Sequence, residues 1–225
     1  MPVFASPRLV IFDNDGTLVP SHAVVNRSIQ SAFARFCAEK GIEAEIPTDE
    51  QICALTGQPG ELFYRALLPE GWKQLSGELR ERSLDAEVAV ILEQGCFYPG
   101  IQELLVSLRE RGVRLAVATN GGQRYISAVA ERLNYAALFD RVYFHGLDGM
   151  ASKKEMGWRA LQELGPPPAL FVGDRRSDLD AALAIGIPFV GCLYGYGSSE
   201  ELSSADATAA TPADLTRLLL DGSRP

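Results

Sequence analysis

Four short stretches of this 225-residue chain carry side chains able to do chemistry together. Asp13-Asn14-Asp15-Gly16-Thr17 follows directly on the apolar run 8–12, and Thr119-Asn120-Gly121-Gly122 follows the run 113–118. Lys153 and Lys154 open a helical pattern, while Gly173-Asp174, with Asp178 in the next helical pattern, closes the run 169–172. Together they offer several carboxylates, a hydroxyl and an ammonium from one end of the chain to near the other. Left alone, Asp13, Asp174 and Asp178 would repel one another and raise one another's pKa. A hard divalent cation resolves that conflict, and a set of oxygen ligands suits Mg2+.

For these stretches to meet, regular elements must set them along one rim. The runs 8–12, 113–118, 141–144, 169–172 and 189–193 are continuously apolar rather than alternating, which predicts strands covered on both faces, as in a parallel sheet. Between them lie amphipathic patterns at 99–111, 123–133, 153–164 and 177–185, and Gly112, Gly165 and Gly186 stand just past three of their ends. The alternation predicts an α/β fold: a Rossmann-like three-layer core, with a mostly parallel sheet of five or more strands joined by right-handed crossovers. In such a sheet, ligands sit at the carboxyl ends of the strands, near the switch in strand order. The stretch from Pro20 to Gln94 breaks the rhythm. Ser21 can start a helix running to Glu39, Thr48 and Gln51 fit a capping box, and further helical patterns follow at 60–68 and 72–92. This predicts an all-helical cap over 19–96 inserted into a catalytic core of 1–18 and 97–225, with Phe63 and Tyr64 as cap core. The stretch 195–211 reads as the loosest part of the chain.

Composition narrows the functional classes. At 47% hydrophobic and 22% charged residues the chain is ordinary for a globular protein. A net charge of −8 and a pI near 4.9 argue against nucleic acid or an anionic membrane as partner. No apolar run approaches the ~20 residues needed to span a bilayer, and residues 1–8 lack the pattern of a secretory signal. Cys37, Cys53, Cys96 and Cys192 lie far apart without metal-type spacing, so the expectation is reduced, mostly buried thiols in a cytoplasmic protein.

In order, the four stretches resemble the four motifs of the haloacid dehalogenase-like (HAD) hydrolases, in the branch with a helical C1 cap similar to phosphoglycolate phosphatases. Asp13-Asn14-Asp15-Gly16-Thr17-Leu18 resembles the first motif, usually Asp-x-Asp-Gly-Thr. Thr119 resembles the second, Lys153 the third, and Gly173-Asp174 with Asp178 the fourth. Tyr98-Pro99-Gly100, followed by Leu104, Leu105 and Leu108, resembles the family's return from cap to core, as Gly195-Tyr196-Gly197 resembles its later loop. The resemblance covers nearly the whole chain. It implies a Mg2+-dependent phosphatase acting on a small phosphate ester (phosphoglycolate-like, a sugar phosphate or a nucleotide) through an aspartyl-phosphate.

The chemistry of the residues agrees with that implication. Phosphoryl transfer needs an in-line nucleophile, neutralisation of phosphate oxygens and a proton for the leaving oxygen. Asp13 can be the nucleophile. Asp15, two residues on, emerges on the same side and can act as acid and then base. Gly16 allows a tight loop that brings backbone N–H groups near the phosphate. Thr119 can donate its hydroxyl, with Asn120 beside it, and Lys153 can face both phosphate and Asp13. By resemblance, the metal ligands are Asp13, the backbone carbonyl of Asp15 and Asp174, with Asp178 either a ligand or directly behind one. Lys153 rather than Lys154 fits the family spacing to Glu155, Met156, Ala160 and Leu161. Three departures, Asn14, Pro20-Ser21-His22 and the missing proline after the lysine, bear on substrate more than on chemistry.

Other readings compete at single residues. Asp13 and Asp15 can be turn formers, Asp174 and Asp178 helix caps, and Arg175 and Arg176 partners of nearby acids. His22 and His145 have no second ligand in register. At the level of function, the rivals are a sugar-phosphate mutase of the same fold and a non-catalytic phosphometabolite-binding module. A nicotinamide-binding protein is disfavoured, since no GxGxxG follows the first strand.

Overall fold

The computed structural model describes residues 7–165 and 167–221; residues 1–6, which open the segment read for a targeting signal, lie outside them, as do Pro166 and 222–225. β1 (Leu9–Phe12) is Leu-Val-Ile-Phe and buried throughout, as a strand without a polar face must be. After a tight loop the chain enters α1 (Ser21–Lys40), ended by Gly41 in the left-handed conformation. Three further α-helices follow: α2 (Asp49–Leu55), α3 (Gly60–Leu67) and α4 (Ser76–Gln94). The capping box at the start of α2 is present: Thr48 Oγ1 accepts from Gln51 N, and Gln51 Oε1 accepts from Thr48 N. The single helix expected over 72–92 is instead a 3-10 turn at Glu70–Leu75 followed by α4. Gly71 and Gly77, both poor helix formers, flank the change.

The chain then returns through α5 (Ile101–Glu110), β2 (Arg114–Gly122), α6 (Gln123–Arg132), the short α7 (Tyr135–Leu138) and β3 (Arg141–His145). Next come α8 (Lys153–Leu164), β4 (Ala169–Gly173), α9 (Arg176–Ile185), β5 (Phe189–Cys192), β6 (Ala207–Ala209) and α10 (Pro212–Asp221). Among the described residues the strands form one sheet in the order β3-β2-β1-β4-β5-β6, and each neighbouring pair is parallel. Two elements were not expected. β6 lies inside 195–211, the stretch read as loosest, and is too short to show a pattern. α10 follows it.

Alternation along the strands divides the core between the two faces of the sheet. Val10, Phe12, Leu115, Val117, Leu170 and Val172 pack with Leu104, Leu105, Leu108 and Leu215 and reach the inserted helices. Leu9, Ile11, Ala116, Ala118 and Phe171 pack with Met156, Ala160 and Leu179 of α8 and α9. The result is the three-layer α/β arrangement predicted from the pattern. β1 lies between β2 and β4, so its carboxyl end is where the strand order switches direction, the place where such sheets bind ligands. Leu18 O accepts from Tyr98 N at 2.9 Å, so the chain leaves for the inserted helices and returns from them at one point. No helix among the described residues is long and apolar enough to cross a membrane. The four cysteines are free; Cys37 and Cys192 are buried, Cys53 is half-buried and Cys96 is exposed, so two of the four are buried where most were expected to be.

Candidate active site

Asp13 is the residue immediately after β1, and its backbone N–H still bonds to Val172 O at 2.9 Å, which fixes it to β4. Asp174 follows β4 directly. Lys153 opens α8, and Asp178 lies in the first turn of α9. All four side chains are buried and meet at the carboxyl end of the sheet. Lys153 Nζ lies 2.7 Å from Asp13 Oδ1 and 2.6 Å from Asp178 Oδ1. Asp178 Oδ2 accepts from Arg175 N at 3.0 Å, capping α9 while its other oxygen holds the lysine. Asp174 accepts from Thr17 Oγ1 at 3.0 Å and from Tyr196 N at 2.7 Å.

The charges do not cancel: one ammonium faces three buried carboxylates. Burial raises the Asp13 pKa above its ordinary value, against the pull of Lys153. Burial and then the charges of Asp13 and Asp178 push Asp174 well above the carboxylate range. Burial and the charge of Asp13 push Asp178 up to about 7, although Lys153 opposes them. For Lys153 burial acts downward, but the charges of Asp13 and Asp178 outweigh it and hold the ammonium charged. One oxygen from each of Asp13, Asp174 and Asp178 lies within 4.8 Å of the others, and Asp13 Oδ2 is buried without a hydrogen-bond partner. Excess negative charge, hard oxygen donors and an orphaned carboxylate oxygen fit a divalent cation.

The remaining expected residues are nearby. Asp15 lines a cavity of about 790 Å³, counting its open part, together with Asp13, Thr119 and Asn120. Thr119 Oγ1 accepts from Gly121 N at 3.0 Å, which leaves its own O–H to donate. Asn120 Nδ2 donates to Gly57 O at 2.8 Å, so this amide also ties the sheet rim to the inserted helices. Gly16 stands in the expected tight loop, at positive φ. Its N–H donates to Val19 O at 2.9 Å and is therefore not available to a phosphate. What Gly16 supplies is space: at φ +81°, a Cβ there would fall 2.3 Å from Asp174 Oδ2. Gly195 and Gly197 do the same from the other side, where a Cβ would lie 2.4 Å from Asp174 Cβ and 1.8 Å from Asp174 O. Lys154 is exposed, and Arg175 and Arg176 pair with Glu201 at 3.4 Å and Asp180 at 2.7 Å. Asn14 is fully buried; its Oδ1 accepts from Tyr135 Oη at 2.7 Å, and its Nδ2 has no partner.

Sequence reasoning missed several lining residues. Tyr125, in the first turn of α6, donates its hydroxyl to Asp15 Oδ1. From the inserted segment come Gln58, in the turn before α3, and Phe63, Tyr64, Arg80, Leu84 and Glu87 of its helices. Phe63 and Tyr64, expected as core alone, are buried and also form cavity wall. The Thr56-Gly57-Gln58-Pro59 turn between two helical patterns was the available signal for Gln58. Arg80 and Glu87 carried none, because nothing in a helical pattern says which face meets a distant rim.

A family model described as haloacid dehalogenase-like hydrolase matches residues 7–186. The tyrosine-protein kinase PtkA of Mycobacterium tuberculosis is 33% identical over 215 residues, which span 92% of this chain and 69% of that protein. The phosphoglycolate phosphatase of Pseudomonas syringae pv. tomato is 30% identical over 225 residues, spanning 95% and 79%. In fold, the chain is similar to CbbY from Rhodobacter sphaeroides, solved in complex with phosphate, with a TM-score of 0.75 at 24% identity, covering 93% of this chain and 96% of that one.

Proposed function

The chain belongs to the haloacid dehalogenase-like hydrolases, and from that premise we propose that it is a Mg2+-dependent phosphatase of small phosphorylated metabolites, with Asp13 as nucleophile. The observation that carries this reading is the division of labour on the Asp13 carboxylate. Lys153 holds one oxygen, and the other is buried without a partner beside a cavity.

In the first half-reaction an Asp13 oxygen attacks phosphorus, the bond from phosphorus to the leaving oxygen breaks, and Asp15 gives that oxygen its proton. Lys153 faces the charge of both nucleophile and phosphoryl group, and Thr119 donates to a phosphoryl oxygen. In the second half, Asp15 takes a proton from water as the water attacks, releasing phosphate and restoring Asp13. Asp13, the Asp15 carbonyl and Asp174 are proposed to hold Mg2+, with Asp178 positioning Lys153; when bound, the cation would neutralise phosphoryl oxygens. The helices of 19–96 act in this reading as a cap that excludes water and selects the leaving group.

A cavity walled by Val25, Ile29, Phe63 and Leu84, with a few polar groups among them, suits a small molecule. Among its described lining residues Arg80 is the one cation, and it makes no ion pair within 4.0 Å, which supports a leaving group bearing a carboxylate, as in phosphoglycolate. The name of the PtkA relative favours a second reading, in which the phosphoryl group passes to a hydroxyl instead of water. Phosphate release separates the two. The wild type should release phosphate from p-nitrophenyl phosphate and phosphoglycolate, and both a chelator and Asp13→Asn should abolish release with the fold intact. Retained turnover in Asp13→Asn would remove the nucleophile assignment, and transfer to a hydroxyl without phosphate release would favour the second reading.

A further inference from the structure

We infer that Tyr125 is a positioning residue for proton transfer: its hydroxyl anchors one oxygen of Asp15, so that the other faces the leaving group. The inference rests on the proposed role of Asp15 as general acid and base. Asp15 is held on the rim by backbone contacts within its loop, Asp15 pairing with Val19, and these fix the Cα rather than the carboxylate. Among the described residues the hydrogen bond from Tyr125 Oη to Oδ1 is the side-chain contact that orients the Asp15 carboxylate. Tyr125 is itself held in place. It stands in the first turn of α6, directly after the strand that carries Thr119, and its ring packs where a Cβ on Gly121 would come within 3.1 Å of it. The same ring lines the cavity with Asp13, Asp15 and Thr119.

The consequence is a choice between two oxygens. Because Tyr125 donates to Oδ1, a proton on that oxygen would point donor at donor; the proton that Asp15 exchanges therefore resides on Oδ2. In the first half-reaction this proton passes from Oδ2 to the leaving oxygen as the bond to phosphorus breaks and the Asp13–phosphorus bond forms. In the second half, Oδ2 takes a proton from water. Tyr125 keeps its own proton throughout and touches neither phosphorus nor the leaving oxygen. It acts by removing one carboxylate rotation that would misdirect the proton.

The experiment is a comparison of substituted phenyl phosphates of increasing leaving-group basicity, which differ little in shape. Wild type, Tyr125→Phe and Asp15→Asn are each measured by kcat/KM, which reports the steps through leaving-group departure. A nitrophenolate needs little help from an acid, whereas a basic phenolate needs much. The loss in Tyr125→Phe should therefore grow about tenfold or more from the nitrophenyl to the unsubstituted phenyl ester, in the same sense as in Asp15→Asn. Equal losses across the series, or no loss at all, would overturn the inference, since a residue that merely shapes the wall affects all esters alike. If Asp15→Asn itself shows no dependence on the leaving group, the assignment of Asp15 falls and takes the role of Tyr125 with it. If only Tyr125→Phe lacks that dependence, the inference alone falls. Tyr125→Leu, which also lacks the hydroxyl, should show the dependence too, and its absence there would count against the inference in the same way.

Discussion

The two oxygens of Asp13 have opposite surroundings, one in an ion pair with a buried lysine and one with no partner. The ion pair fixes the orientation of the carboxylate, and the unpartnered oxygen is the one left open. The same logic of space reserved around a few atoms extends to Gly16, whose missing side chain leaves room for Asp174. Gly16→Ala should lower turnover about a hundredfold through misplacement of Asp174 and cost ~1–3 kcal/mol in stability from the positive φ. Steady-state kinetics and chemical denaturation measure the two effects, and a fully active variant would show that Asp174 tolerates displacement. At this scale much was legible in the sequence. Asp13, Thr119 and Asp174 stand at the ends of apolar runs, where a parallel sheet must place them. The crowding of Gly195 and Gly197 on Asp174 was not legible, because it is a contact across space between segments whose local patterns say nothing of each other. Gly16 was correctly singled out as the residue of a tight loop, but its N–H is used within the loop itself.

Among the elements, the inserted helices bring buried polarity to the edge of the cavity. Tyr64 donates to Glu87, and both are buried. Burial, before any other cause, raises the Glu87 pKa above its ordinary value, and the charge of Asp15 adds to the shift. A raised carboxyl binds more protons in the folded than in the unfolded chain, so its contribution is fully present below the unfolded pKa and is lost as pH rises through the folded one. Glu87→Gln should therefore flatten the decline in stability as pH rises above the ordinary glutamate range, as read by urea midpoints taken along that rise. An unchanged slope would place the proton elsewhere. Helices were readable where an end was marked chemically, as with Thr48 and Gln51 at α2, or Gly186 after α9. β6 was hidden for the opposite reason. Three residues cannot display a period, and its pairing with β5 is decided by a neighbour and not by its own composition.

For the molecule as a whole, the helical segment was readable from rhythm, since four α-helices and a 3-10 turn follow one another between β1 and α5 without a strand. What rhythm could not convey is which inserted side chains face the rim. Arg80 shows the difference: it lies on α4, yet its guanidinium would lie 3.2 Å from a Cβ on Gly122 at the end of β2. If it binds the carboxylate of a leaving group, Arg80→Ala should raise KM for phosphoglycolate about 10–100-fold. The effect on p-nitrophenyl phosphate, which has no carboxylate, should be smaller. Equal effects on the two esters would assign Arg80 to holding the helices against the rim.

The hydrogen bond from Tyr98 N to Leu18 O, at 2.9 Å, closes the neck through which the helical segment leaves and returns. A detour that begins and ends at one spot imposes no distance on the framework that hosts it. In the proposed function, the length of that detour can therefore change without shifting the register of the strands, and the selection of the leaving group can change with it.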